Sequence, residues 1–174
     1  RICLVGSEMC IRDRFRDTLA GLGLLIGNFM IGLLTKSSIF FLYIYLYQFK
    51  FITVNELLPT WAVWIVTFLM IDFVYYWYHR FSHRVRFMWA VHMNHHSSEE
   101  MNFTVSLRQA WFGPITKVPF FIVMPLIGFD PIITAVAGVA STLWGVIGHT
   151  QWIRRLGVLE YILVTPSSHR VHHG

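Results

Sequence analysis

Five apolar stretches dominate the chain: Leu19 to Leu34, Ile39 to Phe49, Leu57 to Tyr78, Trp111 to Phe129 and Ile132 to Ile147, with most charged positions between them. A helix needs about 20 consecutive apolar residues to cross a hydrocarbon core, so this pattern predicts four crossings, or three plus an interfacial segment. Lys36 interrupts the first pair of stretches, leaving residues 18–48 as one long tilted helix or as a span followed by an interfacial piece carrying Tyr43, Tyr45 and Tyr47. Gly21, Gly23, Gly27 and Gly32 punctuate this region, either for close helix packing or as glycines a membrane helix tolerates. The second span begins near Pro59, a favoured first-turn residue, and ends in the aromatic belt Tyr75-Tyr76-Trp77-Tyr78. Gly128-Phe129-Asp130-Pro131 is a turn, and it folds the last two stretches into a helical hairpin.

Composition sharpens the class. Of 174 residues 55% are hydrophobic and only 13% charged, outside the range of a soluble domain. The fold class predicted is all-α: a polytopic membrane helical bundle of about four spans with a cytosolic histidine-rich cap, truncated at both ends. The net charge of +5 arises from basic residues scattered around the apolar runs, which argues against nucleic acid as a partner. Arg80, Arg84, Arg86, Arg108, Arg154, Arg155 and Arg170 fall on the histidine side, against Lys36 and Lys50 opposite. The positive-inside rule then turns the histidines toward the cytoplasm, at a bacterial inner membrane or the endoplasmic reticulum. The chain opens at Arg1 and stops at Gly174, so a fragment is expected. Residues 1–16, with the string SEMCIRDR, read as a non-native or disordered stretch, or else as an ordinary polar tail; residues 17–174 are then a partial membrane domain. Both cysteines, Cys3 and Cys10, lie in the first stretch, so the remainder has no thiol chemistry.

The chemistry rests on nine histidines, eight of them in three clusters: His79 and His83; His92, His95 and His96; His169, His172 and His173. His149 stands alone at the end of an apolar run. The spacings are HxxxH, HxxHH and HxxHH, and helical residues three or four apart share a face, so each cluster is expected to aim its imidazoles at one point. Following the chain through the predicted crossings brings all nine to one membrane face. Imidazole suits iron, zinc, copper or nickel, and so many ligands exceed what one zinc takes, favouring two metals held close together. There is no HExxH to supply the glutamate base of a zinc protease. Asp72, Tyr76, His79 and His83 follow one helical stripe, so Asp72 is expected inside the bundle as a hydrogen-bond partner of an imidazole, or else paired near the interface. Glu99 is a second candidate for that role; the competing reading makes Ser98 a helix cap with Glu99 and Glu100 in the first turn. Thr165-Pro166-Ser167-Ser168 reads as a capped turn starting the third histidine helix. Arg108 and Gln109 read as headgroup ligands or as anchors. Trp77, Met88, Trp89, Trp111 and Phe112 read either as an apolar channel or as packing.

DFVYYWYHRFSH at 72–83, WAVHMNHHSSEEMNFTVSLRQAW at 89–111, GHTQ at 148–151 and TPSSHRVHHG at 165–174 together resemble the fatty acid hydroxylase/sterol desaturase superfamily of membrane di-iron oxygenases. HSSEEMN, LRQ and the final string are most similar to its alkylglycerol monooxygenase-like branch. The resemblance implies a non-haem centre of two Fe ligated by His79, His83, His92, His95, His96, His169, His172 and His173, with His149 an additional ligand. Some relatives carry a further histidine four residues before the equivalent of His149, where this chain has Gly145. It also implies O2 as co-substrate, a membrane lipid substrate, and electrons from a separate donor protein or small reductant. A non-catalytic metal-binding or transport protein and a zinc-dependent membrane hydrolase are the competing classes.

Overall fold

The computed structural model describes residues 8–98, 103–106, 108–161 and 163–173. Among them the chain is helical, with no strand. Helix α1 runs without a break over Glu8–Tyr47, which selects the single long helix of the two forms predicted for residues 18–48. Its C-terminal half does the crossing. Asn28 Nδ2 donates to the Ala110 carbonyl at one end, and at the other the chain after Tyr47 is bonded to Leu126. The residues between them make about 30 Å of helix. The half before Gly27 continues past the bundle, leaving Phe15, Leu19 and Ile26 exposed. Lys36 therefore sits inside the crossing and not beyond its far end as the charge pattern suggested.

At the far end from the histidines a short turn, α2 (Val54–Leu57), leads into α3 (Thr60–Ser82), with Pro59 as its N-cap residue. Here the backbone of residues 51–54 clasps the hairpin: Phe51 N–H donates to Leu126 O at 2.9 Å, Ile52 N–H to Ile127 O at 3.2 Å and Val54 N–H to Gly128 O at 3.3 Å. Gly128 has φ +123°, and a Cβ there would lie 1.9 Å from the Ile52 carbonyl oxygen, so only glycine admits this approach.

Helix α3 ends at the histidine side, where α4 (Arg86–His92) and the short α5 (Phe103–Ser106) follow. The predicted third span is not one helix. It is α6 (Gly113–Phe121) and α7 (Val123–Ile127), broken at Ile122. Pro119 and Pro125 lack the N–H groups that would have bonded the carbonyls of Ile115 and Phe121. The pair still runs from the histidine end to the clasp, and at about 22 Å it is shorter than a straight span. Asp130 caps α8 (Pro131–Gly148), accepting from the N–H groups of Ile132 at 2.8 Å and Ile133 at 3.1 Å, with Pro131 in the first turn. Three helices, Thr18–Tyr47 within α1, α3 and α8, are long and apolar enough to cross a membrane, and the protein is an integral membrane helical bundle. Its core is Val63, Ile71 and Val74 of α3 packed with Met124, Phe129 and Ala137 of the hairpin.

After His149 the chain dips back beside the spans. Glu160 and Tyr161 of the 3-10 turn at Gly157–Tyr161, with Leu163 and Val164, lie along α3 at the level of Leu69 and Asp72, and Trp144 Nε1 of α8 donates to the Val164 carbonyl at 3.0 Å. Non-helical backbone at this depth needs its polar groups satisfied within the protein. Glu160 supplies that by accepting from Leu156 N–H at 2.8 Å and from the Ser167 hydroxyl. Helix α9 (Pro166–His173) then returns to the histidine end. Thr165 and Ser168 cap it reciprocally, Thr165 N–H to Ser168 Oγ at 3.0 Å and Ser168 N–H to Thr165 Oγ1 at 3.4 Å, the capping-box arrangement.

Candidate metal centre

The nine imidazoles converge at the end of the bundle formed by α3, the turn after α4, α8 and α9. They fall into two groups: His79, His83, His92, His96 and His172, and His95, His149, His169 and His173, with the ligand nitrogens of each group within 4.8 Å of one another. The groups adjoin, since the His96 and His173 rings stack at 4.2 Å across the boundary.

The partition corrects the expectation that each cluster serves one point, and within α3 and α9 it follows helical phase. At 100° per residue, positions i and i+4 lie 40° apart, whereas i+3 lies 60° to the other side. His92 pairs with His96 in the first group while His95 turns to the second; His169 pairs with His173 in the second while His172 turns to the first. His79 and His83, also four apart, stay together. Thus the turn after α4 and helix α9 each feed both groups.

Within the groups the Nε2 atoms face one another: His79 and His172 at 2.8 Å, His92 and His96 at 3.2 Å, His149 with His95 and with His169 at 3.1 Å each. Metal–nitrogen bonds of about 2.0–2.1 Å place ligand atoms roughly 3–4 Å apart, so each group fits one ion. His149 Nδ1 donates to the Gly145 carbonyl at 2.8 Å, fixing the tautomer that leaves Nε2 free to ligate. Thus Gly145, where some relatives carry a further histidine, acts here through its backbone. Among the described residues, buried His79 Nδ1, His95 Nδ1 and His173 Nε2 have no hydrogen-bond partner. Burial, reinforced by neighbouring imidazoles, pushes His92, His169 and His173 down to about 3 and His96 to about 4, and lowers His95 as well. Neutral imidazoles with converging lone pairs are what a first-row transition ion requires.

The surroundings differ in part from the predicted roles. Among the described residues Asp72 makes no hydrogen bond to an imidazole; it is half-buried and lines the groove beside residues 160–168. Tyr76, one turn along the same stripe, accepts from Arg80 Nη1 at 2.7 Å. Glu99 and Glu100 lie outside the described residues. The capping reading of Ser98 depends on those residues and lies outside the described ones with them. Arg108 is buried, with Nη1 donating to Ser97 Oγ at 2.8 Å, and the exposed Gln109 donates to Ser106 O at 3.2 Å. Trp89 packs on His83 and His96, Trp77 on Phe73 and Phe81, and Trp111 sits against Gly27, so these three aromatics pack and line neither groove at the site. Two functional features escaped the sequence reading. One is the dip at residues 157–161 and 163–164, signalled by an apolar run too short to span, LGVLEYILV, with a lone glutamate. The other is Arg170, whose Nη1 donates to Thr150 O and Ile153 O at 2.8 Å each and ties α9 to the chain after His149.

A membrane helical bundle carrying an all-histidine cage at one end defines a narrow class, and residues 64–174 match the family described as fatty acid hydroxylase, to which this chain belongs. Over 111 residues, 64% of the chain, it is 46% identical to the alkylglycerol monooxygenase of Xenopus tropicalis, 45% to that of Homo sapiens and 41% to that of Danio rerio. The likeness puts the chain in the alkylglycerol monooxygenase-like branch. The matched stretch spans 25% of the length of each of these relatives. No solved structure matches the chain.

Proposed function

We propose that this chain is the metal-holding core of an O2-dependent lipid monooxygenase that binds two iron ions, one in each histidine group, and acts on a lipid of the alkylglycerol class. The observation that carries this reading is the division of nine neutral imidazoles into adjoining groups of five and four at the membrane surface. Bound there, a pair of irons supplies the activation of O2 needed to oxidise an unactivated C–H bond. The chain's own residues do the rest. Arg170 and the Thr165–Ser168 capping box hold α9 so that His169, His172 and His173 face the other ligands. The Gly145 carbonyl holds the Nδ1 proton of His149, and Trp89 covers one side of His83 and His96.

For an alkylglycerol, insertion of one oxygen atom into the C–H bond beside the ether oxygen gives a hemiacetal that breaks into an aldehyde and glycerol. The second oxygen atom leaves as water, using two electrons and two protons from a donor. That donor is a separate protein or a small reductant. The arginines exposed at the histidine end, Arg80, Arg84, Arg86, Arg154 and Arg155, support a cytoplasmic orientation of the site.

The test is metal analysis of the full-length protein purified anaerobically from iron-supplied membranes, followed by O2 uptake with 1-O-hexadecylglycerol. About two irons per chain, lost in His95→Ala/His172→Ala, and O2 uptake matched by aldehyde formation are expected. One tightly held zinc and no O2 uptake under iron-replete conditions would overturn the proposal.

A further inference from the structure

Two grooves meet on the bilayer side of α3. One, lined by Tyr76, His79, Arg80, His83, Arg84 and His172, opens on the first histidine group. The other, of about 490 Å³, lies between α3 and the chain that dips back at Glu160, Tyr161, Leu163 and Val164, and Tyr76, held by Arg80, stands at the border between the two. The lower groove is walled by Leu69, Phe73, Leu163 and Val164, and its outer lip is apolar and exposed: Phe73 is 57% and Tyr161 91% accessible. In a membrane this lip faces acyl chains.

One polar group in that wall stands out. The Glu160 carboxylate is engaged by Leu156 N–H and the Ser167 hydroxyl, and Ser168 Oγ is engaged by Thr165. Asp72 lines the groove with no hydrogen bond among the described residues. An ionisable side chain within a span is a functional candidate by default, and substrate paths are among the places it marks. A carboxylate in such a place accepts hydrogen bonds, so its fitting partner is a lipid carrying a free hydroxyl whose chain lies along Leu69 and Phe73.

Building on the proposed oxygenase reading, we infer that Asp72 captures the hydroxyl headgroup of a lipid entering sideways between α3 and the dipping segment, and so selects hydroxyl-bearing lipids over capped ones. Asp72 and His79 share one face seven residues apart, about 10 Å along the helix. That exceeds the few bonds between a glycerol hydroxyl and the first alkyl carbon. The contact therefore belongs to capture and not to the reacting complex, which makes Asp72 a positioning residue whose loss appears in binding and KM and not in kcat.

The experiment measures equilibrium binding of radiolabelled 1-O-hexadecylglycerol and of its di-O-methyl ether to the full-length protein in nanodiscs, with iron content and helicity measured on the same samples. Wild type is expected to prefer the diol by about 10–100-fold, the range of a hydrogen bond to a charged group. Asp72→Leu should bind both lipids equally, and Asp72→Asn, which keeps one acceptor, should fall between. A wild type without preference, or an Asp72→Leu protein that keeps it, overturns the inference. Binding is measured on iron-loaded and iron-depleted samples alike, so the two readings are scored separately. A protein lacking iron but showing the Asp72-dependent preference would refute the oxygenase reading alone, and one holding two irons without the preference would refute the capture role alone.

Discussion

Replacing His149 by alanine separates two centres from one pooled cage. His149 is buried, belongs to the group of four, and its Nε2 faces those of His95 and His169 at 3.1 Å. A four-ligand zinc site in a small peptide is worth about 10–16 kcal/mol, so one ligand in four contributes ~3–4 kcal/mol, on the order of 10²–10³ in affinity. The variant should lose one of two ions against a competing chelator and keep the other, because His79, His83, His92, His96 and His172 are untouched. His83→Ala is the matched control: it leaves four ligands in its own group and should lower affinity with both ions retained at the same chelator strength. Metal content by mass spectrometry across a chelator series, with helicity confirming an intact fold, gives the answer. Equal loss of both ions in the two variants would refute the division into five and four.

Arg170→Ala removes two hydrogen bonds from a charged donor and should destabilise α9 by about 2–4 kcal/mol, releasing both ions together in the same chelator assay. Gly128→Ala combines positive-φ strain with a clash against the Ile52 carbonyl and should cost about 2–4 kcal/mol in a thermal melt in detergent, with iron stoichiometry at low temperature unchanged. Gly27→Ala places a Cβ 2.1 Å from the Trp111 indole and should cost about 1–3 kcal/mol by the same melt, relieved by adding Trp111→Leu. Acid should weaken the metal-free fold. His92, His169 and His173 sit at about 3 against the ordinary 6.5, so the unfolded chain takes up protons below pH 6.5 that the folded cluster refuses. Stability is complete above that pH and falls as pH drops toward about 3; melting temperatures rising on acidification would contradict this.

What the sequence disclosed was whatever is written in local periodicity. The apolar runs, Asp130-Pro131 and Thr165-Pro166 as helix starts, and the convergence of nine histidines at one end are properties of neighbours three or four apart. Helical phase also contained the split of His169 and His173 from His172 in α9, once i and i+4 are distinguished from i+3; the matching split of His95 from His92 and His96 is made by a turn. The break at Ile122 was legible in Pro119 and Pro125 and was masked by the unbroken hydropathy around them. Contacts between distant segments had no such signature: the Gly128–Ile52 approach, Trp111 on Gly27, and the descent of residues 157–164 that turns Asp72 toward a groove. These depend on which helices become neighbours, and hydropathy alone does not encode that.

The sharing of α9 between the two groups sets an order of events during biogenesis. His172 is needed by the first group and His169 and His173 by the second, so neither set of ligands is complete until synthesis has passed residue 173. Metal loading of both groups therefore waits on α9, and a nascent chain halted before it would present six imidazoles to whatever metal the compartment offers. Cellular supply of the correct ion at that moment, and not the intrinsic preference of imidazole, then decides which metal the finished protein holds.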